Sequence, residues 1–215
     1  MTKVLLTALA VVAVQPSDRG VTWVTVLDND SVFVTRVRMP PGTSGNMSPS
    51  SGPHVIVQLT PGDIEQTQID ANHRGPREAG AVTWLPDGVG NRFVNIGKNT
   101  FDLLTIKIKP TRPPAPSAPA TAAPQGITRK TLFDNAEVRV VRVQFEPHSR
   151  EPVHTHPNDL LTVQVTGGKV EMVAGAHPTT AVREAGFVQF FPRDVSHAYA
   201  NADQKPFELL SVSIK

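Results

Sequence analysis

Cysteine is absent from the 215 residues, which excludes disulfides, thiolate metal sites and a cysteine nucleophile. Aromatic side chains are sparse, with one Tyr and two Trp. The 21 basic residues are scattered and nearly balanced by 19 acidic ones. No basic run interleaved with aromatics exists, so nucleic acid is not an expected partner. A polybasic membrane patch is missing as well. No stretch carries a helical period, and no apolar run is long enough to span a bilayer as a helix. What remains is rich in Val, Thr, Pro and Gly, which favours an all-β class. Residues 137–145 alternate polar and apolar, as a half-buried strand does. Residues 161–165 and 187–191 read as further strands, with turns at Gly167, Gly168 and Gly175.

The N-terminus has a pattern of its own. Lys3 precedes an apolar run over residues 4–14, broken only by Thr7, and Val11, Val12 and Ala13 are small residues before the polar Gln15–Asp18. This is a signal-peptide pattern. It predicts export to a periplasmic or secreted location and no membrane span in the mature protein. The other reading of residues 1–19 is an ordinary N-terminal strand in a cytoplasmic protein.

The chain repeats itself at a constant offset of 106 residues. Asp28-Asn29 recurs as Asp134-Asn135, Arg36-Val37 as Arg142-Val143, and Gln58 as Gln164. The run Arg77-Glu78-Ala79-Gly80 recurs as Arg183-Glu184-Ala185-Gly186, Asn95 as Asn201, and Lys109 as the final Lys215. By count, roughly 28 of about 90 aligned positions agree without a gap, more than chance sustains in one register. Residues 20–109 and 126–215 are therefore two copies of one small β fold. Between them, residues 110–125 form a Pro/Ala-rich linker that favours extended conformations.

The second copy holds His154 and His156, and about forty residues later His197. In a strand, positions i and i+2 share a face. The first two histidines would thus project side by side, and a third from another strand would complete one face of a coordination sphere. Neutral imidazoles suit Fe, Mn, Zn, Ni or Cu.

At these residues the second copy resembles the cupin superfamily. The family's first motif is His-x-His, then a Glu, then a turn Gly; here it runs His154, His156 and Gly167. Its second motif runs Gly186, Pro192, Asp194, His197, Asn201, with every spacing kept and only Asp194 in place of a Gly. The family Glu would fall at Leu160 and is missing; Asp159 is adjacent but should point to the opposite face. Gln164 shares the face of Leu160, and Tyr199 that of His197, so both are candidate substrate contacts. The remaining histidines, 54, 73, 148 and 177, read as ordinary structural or loop residues.

The resemblance implies two tandem jelly-roll barrels, a bicupin, with one divalent transition metal in the second barrel. Fe or Mn is preferred, and Zn or Ni would also suit the ligands. In the first copy Ser48, Ser50 and Asn91 stand where the ligands should be, and His54 where Leu160 does, so a structural role is expected there. A three-His site without a carboxylate leaves the ion's charge uncompensated and should favour a small anionic ligand. The preferred activity is Fe-dependent, dioxygenase-like oxidation. The alternatives are a non-redox isomerase or lyase, and a non-catalytic small-molecule-binding or structural protein. A monomer or homodimer is expected, because two barrels in one chain can mimic the dimer of a single-barrel relative.

Overall fold

The computed structural model describes residues 14–16, 20–68, 72–109, 124–174 and 178–215. Residues 1–13, most of the Pro-rich linker, Gly175 and His177 lie outside them. The expected signal-peptide cleavage point and the turn at Gly175 therefore lie outside as well. The chain divides into two compact units, Met1–Pro110 and Thr111–Lys215.

In the first unit the strands are β1 (Val14–Pro16), β2 (Thr22–Asp28), β3 (Val32–Met39), β4 (Ser44–Met47), β5 (His54–Gln58), β6 (Gly62–Gln68), β7 (Asn72–Arg77), β8 (Val82–Leu85), β9 (Asn91–Asn95) and β10 (Phe101–Ile108). In the second they are β11 (Ile127–Asp134), β12 (Val138–Phe145), β13 (Asp159–Gln164), β14 (Gly168–Ala174), β15 (Pro178–Arg183), β16 (Val188–Phe191), β17 (His197–Asn201) and β18 (Phe207–Ile214). One short 3-10 turn, Pro49–Ser51, is the sole helical element among the described residues. No helix among them is long and apolar enough to cross a membrane.

Each unit is a pair of antiparallel sheets. The first pairs order β1-β2-β3-β10-β5-β8 with β4-β9-β6-β7, and the second pairs β11-β12-β18-β13-β16 with β15-β14-β17. The cores lie between the paired sheets. In the second unit Phe145, Leu160, Phe191 and Leu209 from one sheet meet Val170 and Tyr199 from the other.

The repeated residues have repeated jobs. Asn29 Oδ1 accepts from the backbone N–H of Ser31 and Val32, and Asn135 Oδ1 does the same for Glu137 and Val138. These are Asx turns that close the β2–β3 and β11–β12 hairpins. Lys109 pairs with Asp28, and Lys215 with Asp134. Gln58 and Gln164 each donate to a carbonyl two residues on, Thr60 O and Thr166 O.

Two backbone sites explain departures from glycine. Gly88 has φ 77 and its counterpart Asp194 has φ 63; Gly42 has φ 74 and its counterpart His148 has φ 62. The turns need a left-handed residue, and Asp in particular tolerates that region better than most side chains. His54, read as an ordinary residue, is buried at the start of β5 with Nδ1 against Gly52 O.

Asn201, like its twin Asn95, is a buried amide with three hydrogen bonds. Its Nδ2 donates to Phe145 O and Lys205 O, and its Oδ1 accepts from Asp203 N. Asn201→Ala should strand these groups and lower the stability of the second unit by about 1–3 kcal/mol, measured by urea unfolding. A change under a few tenths would show that water replaces the amide without cost.

Candidate metal centre

His197 opens β17 and is 1% exposed. The segment carrying His154 and His156 is not a strand, contrary to the expectation from their spacing. It is an extended loop tied to β17 at two isolated bridges, Arg150 with Ala200 and His154 with His197. His154 N donates to His197 O and His197 N to His154 O, both at 2.9 Å.

The first unit shows what has changed. There β4 pairs regularly with β9, Ser44 with Val94 through Met47 with Asn91. Carried over by the repeat, that register would set Val153 opposite His197. Instead the pairing slips by one residue between Arg150 and His154, as at a β-bulge, and His154 takes the place opposite His197. Pro152, which has no N–H to give a ladder, lies inside the slip. Val153 is consequently 60% exposed, whereas Met47 is a core residue at 8%. His156 is held by its carbonyl, which accepts from Asp194 N at 2.8 Å across the Pro192 turn.

The three imidazoles offer ligand atoms all within 4.8 Å of one another, the one such cluster of His, Asp or Glu among the described residues. His154 Nδ1 donates to Pro152 O at 2.9 Å and His197 Nδ1 faces Val195 O at 3.3 Å. These bonds place the protons on Nδ1 and leave both Nε2 atoms as lone-pair donors. The Nε2 atoms of His154 and His156 stand 3.0 Å apart. Two nitrogens bound to one ion at about 2.0–2.1 Å and about a right angle would also be separated by roughly 3 Å. The set fits a transition-metal ion. Phe191 stacks on His197 at 4.0 Å and 15°, fixing that ring.

Burial and the neighbouring histidine lower His156 to about 4, and burial with His154 and His156 lowers His197 to about 3. Both are therefore neutral near pH 7, the form that ligates.

The cluster lies in the wall of a cavity of about 740 Å³, a size that suits a small molecule. Phe145, Leu160 and Leu209 make its apolar side. Leu160, at the position of the missing Glu, is wall and not ligand. Asp159 faces elsewhere and accepts from Arg193 N. Tyr199 lines the cavity, its hydroxyl 3.0 Å from Thr162 Oγ1. Burial raises its pKa, so it stays protonated. Gln164 does not line the cavity, and its amide is engaged with the Thr166 carbonyl. Its amide anchors a loop, as that of its twin Gln58 does.

Motif and spacing do not point to Glu151 and Arg129, yet both line the cavity. Glu151 is 5% exposed; Oε2 accepts from Arg129 Nη2 at 3.0 Å and Oε1 from Tyr199 N at 3.0 Å. Burial holds its carboxyl above the usual range, against the lowering pull of His154 and Arg129. The offset is the signal that could have found them, because the first copy carries Gly45 and Trp23 at these places. There Trp23 packs against the core, and a Cβ on Gly45 would lie 3.4 Å from the Trp23 ring. Asn91, the counterpart of His197, accepts from Gln66 Nε2 at 3.1 Å.

A cupin-domain family model matches residues 141–213. The chain is also similar in structure to AerE from Microcystis aeruginosa, with 13% identity over 95% of this chain and 98% of that one and a TM-score of 0.72. It resembles a serine-to-alanine mutant of the oxalate decarboxylase OxdC from Bacillus subtilis, with 14% identity over 95% of this chain and 75% of that one and a TM-score of 0.69. A cupin 2 conserved-barrel protein from Leptotrichia buccalis matches over 94% of this chain and 92% of that one, with 14% identity and a TM-score of 0.62. No curated protein matches in sequence.

The depressed histidines set a pH dependence for the metal-free protein. Below pH about 6.5 the unfolded chain binds protons that folded His156 and His197 refuse until about 4 and about 3. Stability is thus fully present above pH 6.5 and falls as pH drops toward 3. Glu151, raised by burial, acts in the opposite sense. Thermal melts of chelator-treated wild type and His156→Ala/His197→Ala between pH 7 and 4 should show the steeper decline in wild type. Parallel declines would remove the histidines as its cause.

Proposed function

We propose that the chain is a bicupin, from the match of residues 141–213 to a cupin-domain model and the fold of both units, and that its second barrel is a metal-dependent centre acting on a small anionic molecule. His154, His156 and His197 hold one divalent ion, Fe or Mn in preference to Zn or Ni. The preferred reaction is Fe-dependent, dioxygenase-like oxidation with O2 as co-substrate. The observation that carries the reading is the convergence of three imidazoles, with no carboxylate among them, on a cavity of about 740 Å³.

When bound, the ion supplies Lewis acidity and, as iron, redox chemistry with O2. The chain's own residues do the remaining work. Three neutral ligands leave the ion's charge to be balanced by the substrate, which selects an anion. Phe145, Leu160 and Leu209 keep one side of the cavity dry, which strengthens every electrostatic contact inside it. Tyr199 and Thr162 present a hydroxyl pair to a bound molecule. The first barrel, with Ser48, Ser50 and Asn91 at the ligand positions and a pocket of only about 10 Å³, is structural.

One observation favours a second reading, a non-redox lyase or isomerase. Glu151 is a buried cavity carboxyl held above its ordinary pKa, a group suited to exchange protons with a substrate. The Bacillus subtilis oxalate decarboxylase of similar fold has Mn(II) centres.

Elemental analysis should find about one Fe or Mn per chain in wild type and none in His154→Ala/His156→Ala. Stoichiometric metal in the double variant would overturn the ligand assignment. Oxygen uptake with small carboxylates supports the dioxygenase-like reading, and turnover without O2 the lyase or isomerase. Ligand-induced stabilisation without turnover would make the protein a binder.

The proposal also includes export, on the strength of Lys3 and the apolar run over residues 4–14. Mass spectrometry of protein from its native host should show a start beyond Ala13, and an intact Met1 or Thr2 start would reject export.

A further inference from the structure

The cavity of the second barrel continues past the histidines along β11, β12 and β18. Four charged side chains line it besides the cluster: Arg129, Arg139, Lys215 and Glu151. The internal repeat separates those that serve the fold from those that do not. Lys215 is matched by Lys109, and each bonds the equivalent Asp and the equivalent carbonyl, Asn135 O and Asn29 O. It is part of the hairpin. Arg129, Arg139 and Glu151 are matched by Trp23, Phe33 and Gly45. The fold needs none of these charges, since the first barrel forms without them. They are lost together with the histidines, in the barrel whose cavity is closed.

Glu151 is already engaged with Arg129 and Tyr199 N. Arg129 gives Glu151 one Nη2 bond and lines the cavity with the cluster. Arg139 makes a long contact to Thr131 Oγ1 at 3.4 Å and stands 3.8 Å from Asp134; its Nε is buried without a hydrogen-bond acceptor. Arg129 is paired across the ladder with Val143, and Arg139 lies four residues before Val143 on the same face of β12. At about 3.3 Å per residue the two arginines are spaced by roughly 13 Å along the strand. Thr131, Ser211 and Ser213 lie on the cavity wall with them. Guanidinium groups are suited to planar carboxylates.

We propose that the second barrel recognises an extended small molecule with an anionic group at each end. One carboxylate sits at the histidine cluster beside Arg129 and the other is held by Arg139. The assignment of the first end rests on the function proposed above; the assignment of Arg139 does not. Arg139 is a specificity-determining residue that selects a second carboxylate.

The test is calorimetric titration of the full-length, metal-reconstituted protein with α,ω-dicarboxylates from malonate to adipate and with monocarboxylates of matching length. At least one dicarboxylate should bind ten-fold or more tighter than its monocarboxylate partner. Arg139→Phe, which installs the first copy's residue, and Arg139→Gln as a second variant should erase that preference. Both should leave monocarboxylate affinity within about two-fold. Arg129→Met should weaken both classes. Equal binding of the two classes, a preference that survives both Arg139 variants, or no dicarboxylate binding at 10 mM would overturn the proposal. If His154→Ala/His156→Ala leaves all affinities unchanged while Arg139→Phe still erases the preference, the metal reading fails and the Arg139 assignment stands.

Discussion

Two reciprocal backbone hydrogen bonds between His154 and His197 are the constraint on which the rest of the site depends. They join segments more than forty residues apart in a ladder displaced by one residue from the one the first barrel uses. Because strand side chains alternate faces, a displacement of one residue exchanges what points inward for what points outward. It turns Val153 to solvent and brings the imidazole of His154 to that of His197, with ring centroids 4.7 Å apart. The left-handed turn at Asp194 then sets the loop against His156 through one more backbone bond. The three-histidine face is thus built by backbone pairing, and the tautomers of His154 and His197 are set by carbonyls of the same segments.

The two barrels are a controlled comparison carried within one chain. Residues that close hairpins or anchor loops are kept in both: the Asp-Asn pairs, the terminal lysines, Gln58 and Gln164, Asn95 and Asn201. Residues that face the interior near the histidines are exchanged as a group. A buried carboxylate whose cationic partner is removed costs about 3–5 kcal/mol, so Arg129 and Glu151 are expected to change only together. In the first barrel both are gone, and the Trp23 ring packs in the room that Gly45 leaves. One interior is therefore a packed core and the other an open cavity, on the same fold.

The cavity's electrostatics follow from that exchange. Burial lowers the pKa of His156 and His197 and raises that of Glu151. Both effects disfavour charge inside the barrel, except on the arginines, which remain charged throughout the ordinary pH range. A cavity that suppresses its other charges and retains guanidinium groups is suited to anions.

Strand positions, the repeat and the three histidines follow from alternation and spacing, which are local properties of the chain. Spacing sets His154 and His156 at i, i+2 on one strand; they do converge with His197, but on an extended loop and through a register slip. Alternation carries no information about where a ladder slips. It is silent too on the Gln164 amide, whose bond to the Thr166 carbonyl is set by the loop that follows the strand. Glu151 and Arg129 carry no motif, and their meaning depends on meeting each other across 22 residues. Read alone, the chain specifies two copies of one β fold, a histidine set confined to the second, and the absence of a family carboxylate at Leu160. The one-residue slip, the burial of the Arg129–Glu151 pair and the open interior of one barrel against the filled interior of the other emerge only on folding. These depend on contacts between residues distant in the chain, which no local pattern encodes.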